Sequence, residues 1–329
     1  MTYSSGGVID NADYNAFVGD TGSGVNRVWS TGTNDAGWGQ TSIATVSTGA
    51  VVTATNWATL VNTLSTTGAQ EPTTLTTRTA PVTGNVIAIL ANVATDITSV
   101  TTNRGNATSS GTTSSTWTGA IAKTTGTGSG NSAWTITWTQ TVTFPSADQA
   151  RYFWNAGGLV RLDMSKTSTG ADVDPDWNTF VGTVGTLYMS GRVNSAAQTI
   201  AGVSYTGFTR IGGTGTPGVN STTAGWYTFT PGAGSSIIFQ LNSSVYPYTS
   251  DFIRVAAAVN VGSTVLTLTT TWSQSALSYN ATISGGTDTA SPYTTFGTAP
   301  AVLCRFIPPS TAQGLSNSWG TPTVASSIA

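Results

Sequence analysis

The chain has 329 residues, of which 7% are charged, with a net charge of −2, one cysteine and no histidine. Ordinary globular chains carry roughly 25% charged residues. The absences exclude Ser-His-Asp and Cys-His triads and histidine-ligated zinc, and a lone Cys304 excludes an intrachain disulfide and a cysteine-based zinc site. Lys123, Lys166 and the arginines stand singly, so no basic stripe is present to neutralise nucleic-acid phosphates. No apolar run approaches the roughly 20 residues of a membrane span. The opening MTYSSGGVIDNADYN has neither a basic segment nor an apolar core of a secretory leader, so synthesis in a cytoplasm is expected. Thr, Ser and Gly dominate the rest, alongside 11 Trp, 10 Tyr and 10 Phe. β-branched and aromatic side chains suit a pleated, half-buried surface.

Residues 1–105 carry helical signals. Asp10 or Asn11 can cap a short helix holding Tyr14, Phe17 and Val18. Residues 20–40 form a glycine-rich loop with Trp29 and Trp38. A second helix is predicted from Thr53 to Gly68, capped by Thr53 or Thr55, with Trp57, Leu60, Val61 and Leu64 on one stripe and Gly68 as its stop. A third is predicted from about Asn85 to Val100, where Val86, Ile89, Leu90, Val93, Ile97 and Val100 recur at helical spacing. Residues 106–132 read as a Ser/Thr/Gly linker, or a weak strand followed by a turn.

From residue 133 strands dominate. In AWTITWTQTVTF, Trp134, Ile136, Trp138, Val142 and Phe144 point one way, with Thr mostly on the other. Ser146, with Gln149 three positions on, has the form of a capping box for a helix holding Ala150, Tyr152, Phe153 and Trp154. Gly157-Gly158 ends that helix, and Leu159 to Met164 returns as a strand. The next unit repeats the logic. Asp174 caps, Pro175 takes the first helical position, Trp177, Phe180 and Val181 pack, and TLYMS is a strand. Further strands are predicted at Gly225–Thr230, Ser235–Leu241, Phe252–Val259, Thr264–Trp272 and in AVLCRFI, which Pro308-Pro309 ends. The fold class expected is α+β, mainly β: a small helical N-terminal domain (1–105) for docking and assembly, a linker (106–132), and a body (133–329). The body is an antiparallel β-sandwich or partial barrel with one or two short packed helices.

Candidate sites are few. Asp172, Asp174 and Asp176 alternate through VDPD and could offer oxygens to calcium. The segment lacks the glycine and terminal glutamate of an EF-hand, and helix capping already uses Asp174. Gly22, Gly24, Gly32, Gly37 and Gly39 lack the strand and lysine that accompany a phosphate cradle. Glu71 is the sole glutamate and precedes a proline, which leaves few carboxylate pairs for glycoside cleavage. Asp163 reads as an ion-pair partner of Arg161 or Arg151, and Cys304 as a buried hydrophobe. Trp29, Trp38, Trp226, Tyr246 and Tyr248 lie near turns, where rings can stack on a glycan. The competing reading makes them core and interface aromatics. No catalytic residue, metal or cofactor is assigned, and the chain is read as a non-enzyme.

Several segments together resemble one family. ADYN, TGSG and GWGQ, then NWATLVN and GAQ, resemble a segment of virion structural proteins of tailed bacteriophages, especially marine cyanophages. FPSADQARYFWNAGGLVRLDMS resembles that group's F-x-S-x-x-x-A-R-x-F-F-N-x-G-G-x-I-R pattern. The match holds at Phe144, Ser146, Ala150, Arg151, Phe153, Asn155, Gly157, Gly158 and Arg161; Trp154 and Val160 depart from it conservatively. DPDWNTFVGTVGTLYM and IIFQLNSSVYPYTSDFIRVAAAVN are similar to its later blocks. The blocks touch most of residues 8–275. The resemblance implies a tail, neck or fibre component of a virion assembled in a bacterial host's cytoplasm. Its partners would be copies of itself, as a trimer or hexamer, and neighbouring virion proteins. A receptor- or glycan-binding module on the same particle, meeting a host surface glycan, is the alternative.

Overall fold

A computed structural model describes residues 10–84, 92–114, 121–122, 133–167, 174–191, 198–200, 203–244, 249–275, 280–283, 286–289 and 299–329. The helices are α1 (Asn11–Val18), α2 (Asn26–Trp29), α3 (Ala54–Gln70), α4 (Val93–Asn103), α5 (Ala147–Asn155) and α6 (Asp174–Val184). The strands are β1 (Ile121–Ala122), β2 (Trp134–Thr143), β3 (Leu159–Ser165), β4 (Thr186–Met189), β5 (Gln198–Ile200), β6 (Val203–Tyr205), β7 (Phe208–Ile211) and β8 (Val219–Asn220). They continue as β9 (Ser236–Asn242), β10 (Phe252–Val259), β11 (Val265–Gln274), β12 (Asn280–Ile283), β13 (Gly286–Thr289), β14 (Ala301–Ile307) and β15 (Thr323–Ile328). The fold is α+β and mainly β. One antiparallel sheet runs β15-β2-β11-β10-β9-β8 and another β1-β14-β3-β4-β7, with two separate hairpins, β5-β6 and β12-β13. Neither large sheet closes into a barrel among the described residues.

The N-terminal helices form because their ends are capped and their stripes meet. The Asp10 carboxylate accepts the Asp13 N–H at 3.0 Å. Thr53 Oγ1 accepts the Asn56 N–H at 3.2 Å while Asn56 Oδ1 accepts the Thr53 N–H at 2.9 Å, which satisfies two otherwise orphaned donors. Trp57, Leu60 and Leu64 from α3 join Tyr14, Phe17 and Val18 from α1 and Val93, Ile97 and Val100 from α4 in one hydrophobic cluster. Tyr14 meets Trp57 edge-on, centroids 5.3 Å apart. Two sequence expectations shift here. Gly68 does not end α3 but lies inside it: a Cβ at Gly68 would stand 2.5 Å from Leu75 Cδ1, so the glycine serves close packing of the following segment. Helix α4 starts at Val93, after Asn92 in the left-handed region (φ 62°). The expected earlier turns of that helix, with Val86, Ile89 and Leu90, lie outside the described residues.

The β body has a larger, separate core. In β2, Trp134, Ile136, Trp138 and Val142 are buried, and Gln140 shares their face. Trp138 packs on Trp272 of β11 (5.1 Å), and Trp177 of α6 stacks on Trp272 at 5.8 Å with rings 8° apart. Leu162 of β3 and Val302, Cys304 and Phe306 of β14 belong to the same cluster, so the two sheets share one core. At its end, α5 inserts Phe153 and Trp154 against Phe144, at 5.1 and 5.7 Å. Ser146 Oγ accepts the Gln149 N–H at 3.1 Å, which caps that helix.

Other expectations are corrected. Gly225–Thr230 is not a strand: Trp226–Thr228 is a 3-10 turn. The Trp226 N–H donates to Ser190 O and the Tyr227 N–H to Gly191 O, both at 3.1 Å, which pins the segment to the two residues that follow β4. β15 is a strand the sequence reading missed; it pairs antiparallel with β2, Val324 opposite Val142. Residues 106–132, read as a linker or as a weak strand followed by a turn, hold a two-residue strand, Ile121–Ala122, that pairs with β14 in keeping with the second reading. Residues 108–114 are hydrogen-bonded through Thr108 N–H to Gln70 O (2.9 Å) and through Ser110 and Ser114 N–H to Pro308 O and Phe306 O (both 2.8 Å).

Candidate functional site

Helix α5 places Arg151 and Asn155 one turn apart, on the side that faces the glycine-rich loop. Arg151 Nη1 donates to the carbonyls of Thr31 and Ala36, the latter at 3.0 Å, and Nη2 donates to Asp148 Oδ1 at 3.0 Å. Asn155 Nδ2 donates to Ala36 O at 2.9 Å, Gly37 O at 3.2 Å and Asn34 O at 3.3 Å. Its Oδ1 accepts the Tyr227 hydroxyl at 2.7 Å. One asparagine therefore ties the N-terminal loop, α5 and the 226–228 turn together. The loop turns its carbonyls toward α5, while its Trp38 and Gly39 N–H groups are taken by Val28 O and Ser30 O. That polarity is the reverse of a phosphate cradle, which offers N–H groups.

Above this clamp lies a cleft of about 710 Å³, within the roughly 300–1,000 Å³ typical of ligand pockets. Four stretches of chain line it: Asn34 and Asp35 from the loop, Asp148 and Arg151 from α5, Tyr227 and Phe229 from the turn and the residue after it, and Val259 at the end of β10 with Ser263 from the β10–β11 connection. Asp35 is held by Arg104 at 2.7 Å, and Asp148, its side chain 71% exposed, by Arg151. Each carboxylate at the cleft thus has an arginine beside it. The Trp226 ring forms part of the cleft's lining; it stacks on Trp154 at 5.5 Å and meets Phe144 edge-on at 5.7 Å.

The sequence-derived aromatics separate accordingly. Trp38 is fully buried and Trp226 nearly so. Trp29 is half-buried, donates its indole N–H to Thr41 O at 2.9 Å and stands edge-on to Trp38. Of these three only Trp226 reaches the cleft, and it does so as a core residue. Tyr246 and Tyr248 lie outside the described residues, as do Asp172 and the side chains of Asp174 and Asp176; among the described residues no group of three His, Cys, Asp or Glu could hold a metal ion. Asp163 pairs with Arg161 at 2.8 Å, and that hydrogen bond raises the Arg161 pKa, against the opposing effect of burial. Cys304 is fully buried, and burial pushes its thiol up to about 12.

Sequence reasoning missed Asn34, Asp35, Asp148, Tyr227 and Phe229 as cleft residues. The available signal was the Arg151–Asn155 spacing of four on a capped helix, which puts two multidentate donors on one face. Comparison of the chain with family models, curated proteins and solved structures finds no match.

Proposed function

We propose that this chain is a non-enzymatic structural protein of a tailed bacteriophage particle, a tail, neck or fibre component that works by static contact with copies of itself and with neighbouring particle proteins. The observation that carries the reading is the scarcity of ionic groups together with where they go. Arg78, Arg104, Arg151 and Arg161 are tied to carboxylates of the same chain, and Arg210 to the carbonyls of Val184, Thr183 and Gly215. What remains at the surface is mostly hydroxyl, amide and small apolar side chains. Such a surface has little long-range repulsion between copies, and covering it strips few ions of their water.

Two local features fit the same reading. β8 lies opposite Phe239 and Gln240 of β9 and the Ser221 N–H reaches Ile238 O, while among the described residues no strand pairs with Ser236 and the exposed Ile237 on that side; an uncovered edge of this kind is a template for a strand from another copy. Val51 and Val261 are each 82% exposed. The resemblance of the 144–161 segment to phage virion proteins points the same way. Size-exclusion chromatography with light scattering on the purified chain tests the proposal. A stable trimer or hexamer is expected, and gold-labelled antibody should decorate particles at a fixed station. A protein that stays monomeric at high concentration and decorates no particle contradicts it.

A further inference from the structure

We infer that the cleft above α5 binds a neutral oligosaccharide. Its volume of about 710 Å³ lies well inside the range of organic-ligand pockets, and its lining combines what a pyranose ring requires. Sugars present an apolar C–H face and a rim of hydroxyls. The face needs an aromatic surface, and the rim needs fixed donors and acceptors. Tyr227 and Phe229 are half-buried and line the opening, so each offers part of its ring. Asp148, Asp35, Asn34 and Ser263 supply polar atoms around them.

The charge arrangement selects the class of sugar. Asp148 is engaged by Arg151 and Asp35 by Arg104. Arg151 is already committed to two carbonyls and a carboxylate. A uronic acid or sialic acid would meet two aspartates, and among the described residues that line the cleft the one arginine, Arg151, is already engaged. A neutral sugar meets no such penalty, and the mostly exposed Asp148 carboxylate remains available to accept from its hydroxyls. The walls are fixed before any ligand arrives: the Tyr227 ring is anchored by its hydroxyl on Asn155 at 2.7 Å, and the 31–37 loop by the same asparagine and Arg151. Little ordering is then lost on binding. Trp226 also lines the cleft, but it is buried and stacked on Trp154 within the core, so Tyr227 and Phe229 are the rings that a sugar would meet.

The inference stands apart from the particle role, because binding and self-association are read separately. The full chain is applied to an array of immobilised neutral, uronate-bearing and sialylated oligosaccharides, beside its Phe229→Ala, Asp148→Asn and Thr48→Ala variants, each first matched to the parent by near-UV circular dichroism. Capture by neutral glycans is expected, weakened at least about tenfold by Phe229→Ala and by Asp148→Asn and unchanged by Thr48→Ala, an exposed position outside the cleft. Because Asp148 is largely exposed, its variant keeps the test valid even where Phe229→Ala disturbs folding. A silent array, capture by acidic glycans alone, or capture that survives both cleft substitutions overturns the inference.

Discussion

Replacing Asn155 by alanine isolates the clamp that joins the N-terminal loop to the body. The side chain is buried. Its two amide protons serve three carbonyls at 2.9, 3.2 and 3.3 Å, and its oxygen accepts from Tyr227 at 2.7 Å. Two protons and one acceptor make three full-strength bonds; at about 1 kcal/mol net for each, Asn155→Ala costs about 3 kcal/mol. Asn155→Asp is the sharper probe. It conserves volume and the acceptor for Tyr227 but turns the donor edge into oxygen facing carbonyl oxygen, so its loss should equal or exceed that of alanine. Urea unfolding followed by tryptophan fluorescence should show a lower midpoint at an unchanged slope. Tyr227→Phe alone removes one of the same bonds, so the Asn155→Ala/Tyr227→Phe pair should fall short of additivity by about 1 kcal/mol. A loss under about 0.5 kcal/mol for Asn155→Ala, or strict additivity, refutes the clamp.

Gly157 has φ +110°, and a Cβ there would stand 2.4 Å from Ala107 O. Gly157→Ala combines backbone strain of about 1–3 kcal/mol with that clash, and the thermal midpoint should drop by at least about 2 °C in a calorimetric scan. Arg78 and Asp96 form an ion pair in which both side chains are 7% exposed. Arg78→Met strands the Asp96 charge and should cost about 3–5 kcal/mol in denaturant unfolding, whereas Arg78→Met with Asp96→Leu recovers much of it. Asp251 is buried, and that burial pushes its carboxyl up to about 6, against the lowering effect of the Ser275 N–H. A raised folded-state value means that the folded chain keeps a proton the unfolded chain has already lost. The group's contribution is therefore most favourable below its ordinary pKa of 3.8 and declines as pH rises through about 6. Asp251→Asn should raise the melting temperature at pH 7 and change it little near pH 4; an equal effect at both refutes the assignment.

Elements whose side chains report their own surroundings were readable from sequence. The Thr53 cap and the Trp57–Leu64 stripe define α3, and the Thr alternation defines β2, because each pattern is local and periodic. β15 escaped because TVASSI is an edge strand with half its residues exposed, so it carries no apolar alternation. The 226–228 turn was misread because its aromatic and threonine residues have strand propensity, while its conformation is set by distant carbonyls at Ser190 and Gly191. The site divided in the same way. Trp226 was flagged by its position near a turn, yet its ring is used inside. Asp35 and Phe229 are ordinary loop residues until the 31–37 loop is drawn onto α5, a long-range event that no short window records. Arg151 and Asn155 stood in a recognised motif, but their task, holding carbonyls from more than a hundred positions upstream, exists only in three dimensions.

The pairing of β15 with β2 reaches beyond architecture. Val142 faces both Leu266 and Val324, so one flank of β2 waits for a partner that more than half the chain separates from it. During synthesis that flank, rich in tryptophan and threonine, emerges long before its mate and stays open to any other nascent strand nearby. The body can reach its final closure only after the ribosome has passed residue 328. Expression conditions that slow elongation or supply holding chaperones should therefore govern the yield of soluble protein more strongly than substitutions on the finished surface, since such non-local closure is the slow step in β-rich folding.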